Sequence, residues 1–207
     1  MKAFRSPIAK ITDSVFLCGV GCINAELLHT RGITHILNTA EELADFQYPL
    51  NNLNIRHILM RDSEDEDLLA LLDTCVDHIH LVACNPQSRV LVHCVAGVSR
   101  SASVCIAYLV KYGHKSLKDA YTHVFNKRPC IFPNFGFWRQ LVEFEVRIRG
   151  ESTVEIWPTV MGMVPTIMKR DVEHTIKQVW MPQLVSMFSI HLCVLVFQIL
   201  YLYFIAS

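Results

Sequence analysis

Residues 91–103 read LVHCVAGVSRSAS: an apolar, strand-like run leads directly into His93 and Cys94, small residues follow, and Arg100 closes the loop. Helical spacing begins at once in SASVCIAYLVKYG. A strand that ends in a tight loop at a helix N-terminus is an anion site, because successive N–H groups point inward and the helix dipole adds positive potential. Ala96 and Gly97 keep the loop free of bulk. The amides of Val95, Ala96, Gly97, Val98, Ser99 and Arg100 can therefore close on a phosphate-sized group. Cys94 occupies the same field. A thiol beside a helix N-terminus and cationic groups ionises more readily than a free one, which makes Cys94 a nucleophile beneath a bound anion. Arg100 adds a planar fork that grips two phosphate oxygens, and Ser101 can offer its hydroxyl to the sulfur. An isolated strand cysteine is usually a packing residue. Here the HCxxGxSR order, in a strand–loop–helix setting, overrides that reading.

Outward from this loop, SVFLCGV reads as a strand and NAELLHTRG as a short helix stopped by Gly32. ITHILNTA and NIRHILM are short apolar runs rich in β-branched residues, hence strands. Leu68, Leu72, Cys75, Val76, Ile79 and Val82 recur with helical period. NPQS is a loop before the strand RVLVHC. Residues 117–126 form a polar-faced helix, RPCIFPNFG breaks structure, and FGFWRQLVEFEVRIRG resumes as an amphipathic helix ended by Gly150. This alternation predicts an α/β fold, with a central, mostly parallel twisted sheet and helices on both faces.

The chain has 207 residues, enough for one domain with a short extension. With 19 basic and 19 acidic residues no global field draws it to nucleic acid. The hydrophobic fraction is 52% and the mean hydropathy +0.30. Much of that excess lies in residues 184–206, LVSMFSIHLCVLVFQILYLYFIA, which carry no charge. As a helix this stretch would run about 34 Å, against about 30 Å of bilayer hydrocarbon. Lys169, Arg170 and Lys177 precede it and nothing basic follows, so an anchored tail would leave the rest of the chain in the cytosol. His191 and Gln198 weaken that reading, and an apolar helix docked on the domain or a disordered end competes with it. The eight cysteines (18, 22, 75, 84, 94, 105, 130 and 193) lack CxxC or CxxH spacing, so no zinc site is expected. MKAFRSPIAK lacks a secretory apolar region and Lys2 excludes myristoylation. A cytoplasmic, reducing setting with free thiols follows.

VHCVAGVSRSAS resembles the signature of the cysteine-based protein phosphatases. ITDSVFL, GITHILNTA, AYLVKYGHKSLKDAY, RPCIFPNFGFWRQLVEFE and GMVPTIMKRDVEH further resemble the small atypical dual-specificity phosphatases, over roughly residues 8–182. The resemblance implies a single cysteine-phosphatase-like domain. It also implies hydrolysis of phosphotyrosine and of phosphoserine or phosphothreonine on protein partners, through a cysteinyl-phosphate and without metal or other cofactor. Through LMRD, Asp62 resembles the family's general acid. It also directly follows a predicted strand, and a leaving oxygen needs a proton. Asp65 and Asp67 in MRDSEDEDLL are the reserves, the remaining acids reading as a solvated loop before a helix. In the family the histidine at position 93 supports the loop; a plain buried strand histidine is the competing reading. Asn134 resembles a position that braces the site. Phe135, Phe137 and Trp138 read as core rather than substrate platform. Two rivals stand beside this reading: an idle phosphoprotein-binding module, and a phosphatase for lipid, nucleotide or RNA 5′-phosphates. Val95, Ala96 and Val98 bring no added positive charge for the latter. Oligomeric state leaves no trace in the sequence.

Overall fold

The computed structural model describes residues 8–159 and 162–168. The strands are β1 (Ala9–Lys10), β2 (Val15–Gly19), β3 (His35–Ala40), β4 (Asn54–Met60) and β5 (Val90–Cys94), and they form one sheet in the order β1-β2-β5-β3-β4. Pairing is parallel except for β1, which runs antiparallel on β2. The helices are α1 (Ala25–Arg31), α2 (Leu68–Ala83), α3 (Arg100–Lys111), α4 (Leu117–Lys127) and α5 (Phe135–Arg149).

β5, VLVHC, is buried along its whole length, as a parallel strand covered on both faces must be. On one face Leu28 of α1 packs with Phe16, Cys18, Ile36 and Leu91. The alternate residues Leu17, Leu37 and Val92 are equally buried, and α2 and α3 lie against the sheet strands. The predicted two-sided α/β sheet is therefore the observed one. Every α3 residue from Arg100 to Val110 is buried, which makes α3 the central helix. The six periodic positions predicted for α2 are the six it buries.

Side-chain caps fix the starts of α1, α2, α4 and α5. Asn24 accepts from the Leu27 N–H, Asp67 from Ala70, Ser116 from Asp119 and Asn134 from Phe137. Gly32 and Gly150 end α1 and α5 in left-handed conformation, as expected. A small antiparallel hairpin, β6 (Ile156–Thr159) and β7 (Gly162–Pro165), follows α5 and was not anticipated. The chain's contacts divide after Pro165, beyond which the 3₁₀ turn Thr166–Met168 is described. Among the described residues no helix is long and apolar enough to cross a membrane. The predicted tail, residues 184–206, lies outside the described residues.

Register sets the site. Gly19 and Cys94 are partners across β2 and β5, and His93 pairs with both Cys18 and Asn38. Three parallel strands thus end together, and ligands of open α/β sheets bind at such carboxyl ends.

Candidate active site

β5 delivers Cys94, residues 95–99 turn, and α3 begins at Arg100. The turn holds its shape because its carbonyls are bound from outside. Val95 O accepts from the Val20 N–H at 3.0 Å, and Val98 O from the Phe132 N–H at 2.8 Å. Ala96 O and Gly97 O both accept from buried Arg128, at 3.0 and 2.8 Å. With four successive carbonyls pinned outward, the loop amides are left to face inward, as an anion cradle requires. Gly97 makes this possible: its φ is 68°, and a Cβ there would sit 2.5 Å from the Cys18 carbonyl oxygen.

The Cys94 sulfur lies within this ring. It accepts from the Gly97 N–H and from the Ser101 hydroxyl, each at 3.2 Å. Arg100 is 3% exposed and closes the pocket. Both of its terminal nitrogens donate to Glu42, and Nη1 also donates to Met60 O at 3.1 Å. The guanidinium holds the Glu42 carboxyl below its usual range. Arg100 Nε has no hydrogen-bond partner although it is buried. A buried donor without a hydrogen bond is costly, and an anion seated in the cradle would supply one.

Asp62 arrives from the loop after β4. Its Oδ1 accepts from Ser99 Oγ at 2.7 Å and Asn134 Nδ2 at 3.0 Å, and its Oδ2 lies 3.7 Å from Arg100 Nε. The reserve carboxylates are engaged elsewhere. Asp65 bonds Ser63 and pairs with Arg61, and Asp67 caps α2. Of the acids first considered, Asp62 is the one brought to the cradle.

His93 is fully buried, and loss of solvent pulls its pKa down to about 4, so the ring is neutral. Its Nε2 shares a hydrogen bond with Tyr48 Oη at 2.7 Å, and its Nδ1 lies 3.4 Å from Cys94 O. Its carbonyl accepts from Thr39 Oγ1 at 2.9 Å. The residue is both a core histidine and a brace for the loop. Asn134 joins the same assembly, capping α5 while holding Asp62. Phe137 and Trp138 are core, as predicted. Phe135 is only partly buried and meets the exposed Phe132 edge-on at 6.0 Å. Among the described residues no group of three or more His, Cys, Asp or Glu side chains could hold a metal.

Glu42, Tyr48 and Arg128 escaped the sequence reading. Glu42 and Tyr48 sit in a connecting segment with no periodic signal, and Arg128 ends an ordinary amphipathic helix. One clue existed for Glu42: a buried arginine demands a carboxylate partner.

A thiol inside a ring of amides, an arginine at the ring's mouth and a carboxylate across from it define a cysteine-based phosphatase site. The family model for the dual specificity phosphatase catalytic domain matches residues 15–147. Human dual specificity protein phosphatase 14 is 41% identical over 169 residues, covering 81% of this chain and 83% of that protein. Human dual specificity protein phosphatase 18 is 38% identical over 174 residues, covering 82% and 91%. The crystal structure of human DUSP28 superposes with a TM-score of 0.64 at 31% identity, covering 70% of this chain and 96% of that one. The chain belongs to the dual-specificity phosphatase family, and it is a small dual-specificity protein phosphatase.

Proposed function

We propose that the chain removes phosphate from tyrosine and from serine or threonine of protein partners in two covalent steps at Cys94. The Cys94 thiolate attacks phosphorus, and the S–P bond forms as the P–O bond to the side chain breaks. The amides of residues 95–100 and the Nε edge of Arg100 take up the charge on the phosphoryl oxygens. Asp62 gives its proton to the departing oxygen. The resulting carboxylate then takes a proton from water, which attacks phosphorus and breaks the S–P bond. The Ser101 hydroxyl, 3.2 Å from the sulfur, steadies the thiolate as it leaves.

The observation that carries this reading is the buried Arg100 Nε, which makes no hydrogen bond, in the same loop as a sulfur that accepts from the Gly97 amide. An idle binding module would need neither the nucleophile nor an acid poised over the cradle. The test is hydrolysis of a simple aryl phosphate by the full chain in the presence of a chelator. Turnover should persist with chelator and vanish in Cys94→Ser, and the wild type should yield a trapped phosphocysteine on rapid acid quench. Turnover surviving Cys94→Ser would overturn the mechanism.

The reading extends to location. It puts the enzyme in the cytoplasm with residues 184–206 as an anchor in an intracellular membrane. The uncharged apolar tail, the basic residues before it and the cysteines without pairing pattern support this. Full-length chain that stays in solution after detergent-free extraction would overturn the anchor.

A further inference from the structure

Two loops wall one side of the cradle, and both are acidic. The turn after β3 carries Glu41 and Glu42, and the segment after β4 carries Asp62, Asp65 and Glu66. Contacts tie them into one surface. Glu42 and Asp62 converge on Arg100. Glu66 first, then Asp65 and Glu41, hold the Arg61 guanidinium charged. All but Glu66 are open to a ligand: Glu42 is 52% exposed, Asp62 37% and Asp65 73%, and Glu41 is exposed as well.

The cations nearby are committed. Arg61 is paired with Glu66 at 2.8 Å and lies 3.9 Å from Asp65. Arg128 is buried beneath the loop, bound to its carbonyls. Arg100 spends its terminal nitrogens on Glu42 and Met60, and its Nε, which makes no hydrogen bond, is the donor left for a phosphoryl group. The pocket therefore has cationic capacity for one phosphoryl group. A second anion on this side would meet carboxylates, whereas a lysine or arginine beside the phosphorylated residue would find five carboxyl groups, Glu41, Glu42, Asp62, Asp65 and Glu66, shared between two guanidinium groups, Arg61 and Arg100.

Resting on the reaction proposed at Cys94, we infer that the enzyme selects phosphorylated residues flanked by basic side chains and discriminates against substrates bearing further phosphate groups. Attraction of this kind acts through exposed charges, so it is screened by salt.

The experiment compares two phosphotyrosyl peptides that differ only in three neighbouring residues, lysine in one and glutamate in the other, with an uncharged aryl phosphate alongside. At low ionic strength the lysine peptide should have kcat/KM about tenfold above the glutamate peptide, a gap that narrows sharply near 1 M salt where the screening length is about 3 Å. The double variant Glu41→Lys, Asp65→Lys, altered at exposed positions outside the chemistry, should erase or invert the gap. A 5′-phosphorylated oligonucleotide should be turned over more slowly than either peptide. A wild-type ratio near one, or a ratio indifferent to salt and to the double variant, overturns the inference. If the oligonucleotide is the better substrate, the inference is equally overturned. Failure of the wild type to hydrolyse the aryl phosphate would instead strike the proposed reaction, so the two failures are distinguishable.

Discussion

The phosphate loop and the acid loop meet at Arg100 but are built in opposite ways. The phosphate loop is buried and is held through its own main chain: the Val20 and Phe132 amides anchor two of its carbonyls, the buried Arg128 side chain anchors two more, and Gly97 lies against the Cys18 backbone. The acid loop is exposed, and side chains from α5 seat it. Gln140 bonds Glu66 O at 2.8 Å and the Leu69 N–H at 2.7 Å, Asn134 holds Asp62, and a Cβ on Gly136 would sit 2.5 Å from the Glu64 Cα. A site for charge that develops at a fixed point must be preorganised. A proton donor that must serve several leaving groups can sit on a more adjustable segment. Main-chain anchoring is placed where the phosphoryl group is held, and side-chain seating where the leaving group varies.

Gly97→Ala is the harshest way to break the contrast. The new methyl group would collide with the Cys18 main chain in a conformation that side chains rarely adopt, so the loop must move. Stability should fall by roughly 3 kcal/mol or more from strain and overpacking, and turnover of every substrate should be lost together. Denaturant titration and aryl phosphate assays check both. Retained activity at native stability would show that the cradle tolerates a shifted amide.

Asp62→Asn probes the other loop and should separate substrates rather than abolish them. Removing a positioned acid costs roughly 10²- to 10³-fold when the leaving oxygen is strongly basic. Phosphothreonyl peptides, with alkoxide leaving groups, should therefore suffer most. Nitrophenyl phosphate, whose leaving group needs little help, should suffer far less. The acidic limb of the kcat/KM profile should be unaltered while the basic limb, which reports the loss of the acid's proton, should disappear. An equal loss on all substrates would assign Asp62 to binding instead.

The same contrast explains what could be read from the sequence. The cradle is formed by consecutive amides, so Cys94 to Arg100 is visible as one motif, and the strand before it and the helix after it follow from apolar spacing. α2 was legible because one buried face imposes one period. Asp62 could be located because a strand end puts it at the sheet's carboxyl edge. Glu42, Tyr48 and Arg128 reach the site from segments whose local pattern answers to other demands, and only the folded chain brings them in. The β6–β7 hairpin was hidden for a different reason. Pro158 and Pro165 interrupt the strand signal, and proline is accommodated only where a ladder N–H is not needed.

Behind the phosphate loop, Tyr48 and His93 supply the smallest and most discriminating change. Burial holds His93 at about 4, below its ordinary 6.5. Below pH 6.5 the unfolded chain takes up a proton that the native ring refuses. The stability contributed by neutral His93 is therefore complete above 6.5 and drains away as pH falls toward about 4. Tyr48→Phe takes away the hydroxyl 2.7 Å from Nε2 and leaves a buried ring nitrogen unpaired, at a cost of about 1 kcal/mol. Denaturant titrations across this pH range should give a curve displaced downward at neutral pH with its acid slope retained, because the slope comes from burial and not from the hydroxyl. His93→Gln should flatten the slope, with His35 and His78, also pulled down chiefly by burial, and at the acid end the carboxyls of Glu42, Asp13, Asp65 and Asp77, held low by their hydrogen-bond partners, supplying what persists. Turnover by Tyr48→Phe should drop only a few-fold, since the carbonyl anchors of residues 95–98 do not pass through Tyr48. A loss as deep as that of Gly97→Ala would mean that the loop depends on the histidine behind it as much as on its own main chain, and the division between a backbone-fixed cradle and side-chain-seated surroundings would fail.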